Sequence, residues 1–385
     1  MAHRRVEQLF GLHGKDWIQP RALRNACTFD RGFVDVVEGS LLQVRQWWPS
    51  LGKEPLRRVH LVSTHGAPTV GELAWLMHQP SARRLESLVV TFGGGGFDLD
   101  PKTLGEDLEA TAENDRSASW VQHELPDERL LGSLHGITID GPPSFGIVVR
   151  LGEHVVPRLR ELRFDVNALR ADEPLRRQSE LTALTALLPV EHPVSFTSIA
   201  AKKLRSLTWM VNGDRHRQEV ARMIGHADFL PHLETLTTNA RLDASFAQAL
   251  GERAIALEEL ELRGGGATPD GLIALAESGV ASRLRVIRIL QHDGSPSASF
   301  LQGERFERLE TLELDRFVFD DTSSFGGPSL VDLVLRESRI DAACARRLVK
   351  SPGLAQLYRP VFDDCAIFHA ARGLAHERWP DAVFR

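Results

Sequence analysis

The chain has almost no cysteine: Cys27, Cys344 and Cys365 are the only three in 385 residues, widely spaced and outside any Cys-x-x-Cys arrangement. Neither a disulfide framework nor a zinc site is suggested, and a reducing compartment fits. There is no dense Lys/Arg block, and with a formal net charge of -6 nothing drives nucleic-acid binding by phosphate neutralisation. Long apolar runs are missing too. Stretches such as Ile147-Val148-Val149 fall far short of the roughly 18–20 residues that cross a bilayer, and Lys15 and Asp16 arrive before a signal-peptide core could form. A cytoplasmic protein with no membrane or nucleic-acid partner is expected.

The common catalytic signatures are equally absent. The chain contains no His-Glu-x-x-His, no Gly-x-Ser-x-Gly and no Gly-x-x-x-x-Gly-Lys-Ser/Thr, and its 15 histidines are scattered singly. The glycines at 93–96 and 264–266 follow strand-like segments but lack the lysine or the three-glycine fingerprint of a phosphate loop, so they read as turns. Asp363, Asp364, Cys365 and His369 could be drawn together as a metal or Cys/His group. The plainer reading makes Cys365 a small buried residue and the aspartates a helix start. Cys344, four residues after Ile340, is core on the same grounds. No enzyme, cofactor, metal site or small-molecule substrate is expected.

What the chain does have is a pattern. In Leu257-Glu258-Glu259-Leu260-Glu261-Leu262, a short strand would turn Leu260 and Leu262 to one side and Glu259 and Glu261 to the other, which needs stacked copies to bury its apolar face. Leu-x-x-Leu-like copies begin at Leu56, Leu85, Leu134, Leu159, Leu204, Leu233, Leu257, Leu284, Leu309, Leu330 and Leu354, eleven in all. Splitting the two long intervals, 85 to 134 and 159 to 204, gives a period of about 25 residues and about 13 copies. Leu181-Thr182-Ala183-Leu184 is a hidden copy in the second interval. The first holds an acidic segment, 93–128, read as an insertion or a degraded repeat. Its acids lack the regular spacing of a Ca²⁺ loop.

The returns between strands read as helices. Thr268-Pro269-Asp270 supplies an N-cap, a first-turn proline and an acid, Leu272, Leu275 and Ala276 face inward, and Gly279 can stop the helix. Segments 243–251 and 341–352 follow suit. The short interval from Leu309 to Leu330 predicts a turn or a 3₁₀ segment. Residues 1–55 lie outside the pattern and read as an N-terminal cap. They hold a strand near Phe33 and a helix capped by Ser40 and ended by Pro49, with Trp47 and Trp48 as cap packing. The predicted fold class is α/β, a parallel solenoid with repeats over 56–360 and a C-terminal cap over 361–385.

These residues resemble leucine-rich-repeat proteins. The Leu-x-x-Leu-x-Leu-x-x-Asn-x-Leu pattern is nearly complete at Leu159, Leu162, Phe164, Asn167 and Leu169, and Asn212 is the one other asparagine in place. Phe29-Asp30-Arg31-Gly32-Phe33-Val34, Glu54-Pro55-Leu56-Arg57-Arg58-Val59 and Glu377-Arg378-Trp379-Pro380-Asp381 look like the flanks of repeat-rich bacterial proteins of the myxobacterial and planctomycete type. The resemblance implies a horseshoe with a concave parallel sheet and helices or turns on its convex side, acting as a binding scaffold without chemistry of its own.

In a parallel solenoid, outward strand positions form columns about 4.8 Å apart. One column runs through His60, Val89, Thr138, Arg163, Thr208, Thr237, Glu261, Arg288, Glu313, Val334 and Tyr358; a second adds Glu234, Glu258, Arg285 and Glu310; a third adds Arg263, Leu290, Asp315 and Arg336. The charges are either ion-pair ladders that keep the sheet soluble or a patterned face that selects a protein partner, with Met210, Leu290 and Tyr358 as apolar contacts. On the second reading, reversing Glu261 and Glu313 to lysine abolishes partner capture without changing thermal stability. The expected function is a protein-binding scaffold. A regulatory or inhibitory subunit of an enzyme complex is the alternative, and a hydrolase using 93–128 is a third reading.

Overall fold

The computed structural model describes residues 26–30, 33–51, 56–63, 76, 79, 84–92, 136–140, 160–165, 180–188, 202–211, 214–264, 266–290, 294–301, 303–320, 329–351, 354–357, 359–367 and 369–385. The segment 93–128, Asn167, Leu169, Asn212 and Tyr358 lie outside them. Two compact units divide the chain near residue 182.

In the first unit, β1 (Cys27–Asp30) pairs antiparallel with β2 (Phe33–Gly39). Parallel pairing then runs from β2 through β3 (Arg58–Ser63), β4 (Ser87–Phe92) and β5 (Gly136–Asp140) to β6 (Glu161–Asp165). Helix α1 (Leu41–Leu51) begins at a reciprocal cap: Ser40 Oγ accepts from Gln43 N–H at 3.2 Å, and Gln43 Oε1 accepts from Ser40 N–H at 2.9 Å. Pro49 does not end this helix, as the sequence suggested, but sits in its last turn. Trp47 and Trp48 are buried, so they pack the cap and offer no stacking platform.

The second unit repeats the same plan more regularly. Its strands β7 (Ala183–Leu188), β8 (Ser206–Val211), β9 (Thr235–Thr238), β10 (Glu259–Arg263), β11 (Val286–Leu290) and β12 (Thr311–Asp315) pair in parallel in chain order. The hidden copy at Leu181 is thus a full strand. In β10, Leu260 and Leu262 are buried and Glu259 and Glu261 are only partly so; β8, β9, β11 and β12 alternate likewise through their first four residues. The inward residues pack beneath the return helices α2 (Asp214–His226), α3 (Ala244–Arg253) and α4 (Pro269–Glu277), whose own inward residues Val220, Ala247, Leu250, Leu272 and Leu275 are buried. That double layer is the core. Burying each such leucine stabilises by about 1.5–3 kcal/mol relative to exposure.

The expected caps are in place. Asp243 accepts from Phe246 N–H at 2.9 Å and Thr268 from Gly271 N–H at 3.0 Å. Gly271 lies so close to the preceding repeat that a Cβ there would stand 2.1 Å from Leu242 O. Arginines from one repeat close the helix of the repeat before it. Arg253 donates to Gly225 O at 2.5 Å and Ala227 O at 3.0 Å beyond α2, and Arg283 donates to Ala254 O at 3.2 Å at the end of α3. Each guanidinium satisfies carbonyls that the helix leaves orphaned and complements the negative end of its dipole.

The later repeats depart from expectation. Beyond β12, the ladder continues through β14 (Asp332–Arg336), β16 (Val361–Asp363) and β18 (Val383–Phe384). Val361, not Tyr358, is in register with Val334, so the last copy starts at Leu357 and not at Leu354. Two leucines three residues apart made both registers legible, and backbone pairing selects the second. After β12 the described residues give β13 (Val318–Phe319), which pairs in parallel with β15 (Arg339–Ile340), and β15 pairs with β17 (Ala366–Ile367) in a second sheet, while 321–328, where a turn or 3₁₀ segment was expected, lie outside the described residues. Asp341 caps α5 (Ala342–Lys350), and His369 opens α6 (His369–Arg378). Arg378 donates to Ser351 O at 3.1 Å, so the helix-closing arginine recurs at the end of α5. Asp363 and Asp364 do not start a helix: Asp363 belongs to β16 and Asp364 turns the corner after it with φ 48°.

Candidate functional site

The open strand face of the second unit brings the sequence columns together. Thr185, Thr208, Thr237, Glu261, Arg288, Glu313, Val334 and Val361 stand in register across β7 to β16. Among them the charges form an unbroken chain of ion pairs. Arg263 donates to Glu261, Arg288 reaches Glu261 at 3.7 Å and Glu313 at 3.4 Å, and Arg336 bridges from Glu313 to Asp363, the last contact at 4.0 Å. Three arginines and three carboxylates alternate, so the chain sums to zero. The Glu261 and Glu313 side chains are only 14% exposed, while Arg263 is 52% exposed.

The neighbouring column is a second ladder. Arg285 forms a two-pronged contact with Glu310 at 2.8 and 3.0 Å and reaches Glu258 at 3.4 Å; Arg205 pairs with Glu234 at 2.9 Å. The hydrogen bond from Arg285 holds the Glu310 carboxyl below its usual range, and the same bond raises the already high pKa of Arg285. Backbone amides reinforce the column: the N–H groups of Glu234, Glu258, Arg285, Glu310 and Val331 each donate to the carbonyl of the preceding member, at 2.7–2.9 Å. Ion-pair ladders are therefore the geometry of these charges.

The remaining expected contacts divide. Met210 and Leu290 are half-buried on the open face, and Arg163 is exposed on β6 of the first unit. Asp315 is only 8% exposed, a correction to its expected outward role. It is the last residue of β12, and the chain leaves the strand at the left-handed Arg316, φ 65°, so the corner encloses it. Glu261 and Glu313 are likewise committed to arginines on both sides.

The corners at the strand ends follow a rule that the sequence did not disclose. Gly264, Arg316, Glu337 and Asp364 all have positive φ, between 46° and 72°, and each donates its N–H to the strand end of the next repeat, at 2.8–3.0 Å. Next to them, short polar side chains satisfy buried backbone. Asn239 accepts from Val211 N–H at 2.9 Å and donates to Val211 O at 2.5 Å, Ser338 accepts from Phe317 N–H at 3.1 Å, and the Cys365 thiol donates to Leu335 O at 3.2 Å. Cys365 is thus a backbone-bonding core residue. Burial pushes its thiol and that of Cys344 up to about 11. Among the described residues, no group of three or more His, Cys, Asp or Glu could hold a metal ion, and no helix is long and apolar enough to cross a membrane.

Arg241 N–H donates to Arg217 O at 3.2 Å, and a Cβ on Gly264 would stand 3.6 Å from Arg217 Nη2 and 3.8 Å from Asn239 Cβ. The Arg217 guanidinium on α2 thus approaches the end of β10, and Arg241 meets Arg217 through the backbone. In the later repeats the equivalent corner pairs opposite charges, Arg316 with Glu337 at 2.7 Å.

The sequence matches no family model and no curated protein. Among solved structures, the fold is similar to a leucine-rich-repeat protein of Leptospira interrogans, 12% identical, over 87% of this chain and 91% of that one with a TM-score of 0.35. A Bacteroides fragilis protein is 10% identical over 84% of this chain and 73% of its own, with a TM-score of 0.31. The assignment of a leucine-rich-repeat solenoid rests on the molecule itself: parallel strands in chain order, leucines inward, helices or a second sheet returning, and polar side chains bonding the backbone at the corners.

Proposed function

We propose that the protein is a non-enzymatic scaffold that binds a partner protein through the open strand face of its second unit. The observation that supports this reading is the alternation of burial through β8, β9, β10, β11, β12 and β14, which leaves one side of every strand to solvent with its side chains in fixed columns. Ladders of ion pairs hold those side chains in one arrangement, so a partner meets a preorganised surface and loses less entropy in ordering it. The partner-facing residues are Met210, Glu234, Glu258, Arg263, Arg285, Arg288, Leu290, Glu310 and Arg336.

The uncharged stretch at Thr208 and Thr237 suits a test, because both are half-buried and stand outside the ladders. Affinity capture from a cell lysate is compared for the wild type and for Thr208→Arg with Thr237→Arg. The expected result is one protein retained by the wild type and lost by the variant at an unchanged unfolding midpoint. Equal retention by both refutes the assignment of the face.

A further inference from the structure

We infer that a groove at the C-terminal end of α4 seats an arginine side chain of the partner protein, as a second contact on the helix side of the second unit. This rests on the scaffold reading and adds a site and the chemistry of its occupant. The ends of α2, α3 and α5 share one device. A guanidinium from the next repeat donates to the carbonyls there: Arg253 to Gly225 O and Ala227 O, Arg283 to Ala254 O, and Arg378 to Ser351 O. The end of α4 departs from it. Among the described residues, neither Arg305 nor Arg308 of the next repeat donates to its carbonyls, and Arg305 turns instead to the Glu277 carboxylate, at 3.5 Å. At this place the surface opens into a groove of about 390 Å³, lined by Ala276, Glu277, Ser278 and Ala281 around the end of α4 and by Arg305 and Glu307 from the repeat after it.

Charge and shape both select a guanidinium. The groove holds two carboxylates against one guanidinium, and the negative end of the α4 dipole adds to the excess. The Arg305 to Glu277 pair is exposed on both sides, a kind of pair held only weakly, so it yields to a donor that also reaches the helix end. The small side chains of Ala276, Ser278 and Ala281 leave room for the apolar stem of an arginine to lie against the wall. Its planar fork can bond a carboxylate and a carbonyl together, which the compact ammonium of a lysine does less well.

The test titrates the isotope-labelled full chain with the peptide acetyl-Gly-Arg-Gly-amide at low salt and reads the amide resonances of Ser278, Ala281 and Ser282, with the matching citrulline and lysine peptides as further probes. The expected result is a saturable shift at these residues with the arginine peptide, binding about tenfold weaker for citrulline, which keeps the shape and loses the charge, about tenfold weaker for Glu277→Gln with Glu307→Gln, and unchanged for Glu219→Gln on α2. Circular dichroism confirms that each variant is folded. The inference is overturned if the arginine peptide gives no saturable shift there, if the citrulline or lysine peptide binds within twofold of it, or if the double variant binds within twofold of the wild type. Lysate capture with Glu277→Gln and Glu307→Gln separates the two readings. A partner held equally by wild type and variant overturns the second contact and leaves the scaffold standing. Peptide binding with no captured partner supports the groove and overturns the scaffold.

Discussion

Replacing Glu313 by lysine tests whether the charged columns hold the sheet together. The Glu313 side chain is 14% exposed and lies between Arg288, at 3.4 Å, and Arg336. Each pair, partly shielded from water, contributes about 1 kcal/mol. Losing both costs about 2 kcal/mol, and placing an ammonium between two guanidiniums adds a repulsion of similar size, for a total of about 3–4 kcal/mol. For a second unit of about 200 residues, that lowers the thermal midpoint by about 10 °C. Glu313→Gln, which removes the charge and keeps the shape, should lose about half as much. In 1 M NaCl the screening length falls to about 3 Å and the gap between wild type and Glu313→Lys should shrink. Circular dichroism melts of the three proteins at two salt concentrations decide it. A midpoint within about 2 °C of wild type, or a shift insensitive to salt, refutes the ladder as a stabilising device. The same enclosure of Glu261 and Glu313 between arginines predicts that reversing both lowers stability, in place of the unchanged stability expected from the sequence.

Other outcomes follow from the same contacts. Arg253→Met removes two charge-assisted bonds to Gly225 O and Ala227 O, and should lower stability in urea titration by about 2 kcal/mol while speeding amide exchange at the end of α2. Gly271→Ala drives a methyl to within 2.1 Å of Leu242 O and should destabilise by about 3 kcal/mol or more, measured in the same titration. Burial raises the thiols of Cys344 and Cys365 from 9.0 to about 11, so in the native protein a thiol reagent at pH 8 should label Cys27 far faster than either. Because folding favours the protonated thiols, their contribution to stability is complete below pH 9 and is lost as pH rises toward 11, visible as an alkaline fall in the melting midpoint that Cys344→Ala with Cys365→Ala reduces.

The repeat was legible wherever burial dictates residue type. Leu260 and Leu262, the Thr268 cap and the inward Leu272 and Leu275 all follow from period and capping chemistry, because one side of each must leave water. The column register followed too, since stacking fixes it once the leucines are aligned. The errors fall where two patterns fit equally well or where backbone geometry decides. Leu354 and Leu357 are both leucines, so only pairing with β14 separates the two registers. Pro49 was read as a stop, but the helix runs two residues past it to Leu51, and its missing N–H forfeits one bond near the end of the helix. The second sheet is built from two-residue strands too short to show a period, although Phe317 and Phe319 carried half the signal. Of the candidate site, the ladders could be anticipated from alternating signs, whereas the enclosure of Asp315 depends on a left-handed corner. The approach of the Arg217 guanidinium to Gly264 was hidden because the two lie about two repeats apart in the sequence.

The arginine that each of several repeats lends to the helix before it shifts the boundary of the smallest transferable piece. A segment cut from the start of one strand to the start of the next carries a helix whose closing residue stays behind in the donor, while its own arginine reaches for a carbonyl that the recipient need not supply. A segment that starts after Arg253 and ends with Arg283 carries α4, the helix that follows Thr268, together with the arginine that seals the end of α3. Duplication or grafting of these repeats is thus least disruptive when the joints fall just after the arginines, three residues before Leu257 at the first joint and directly before Leu284 at the second.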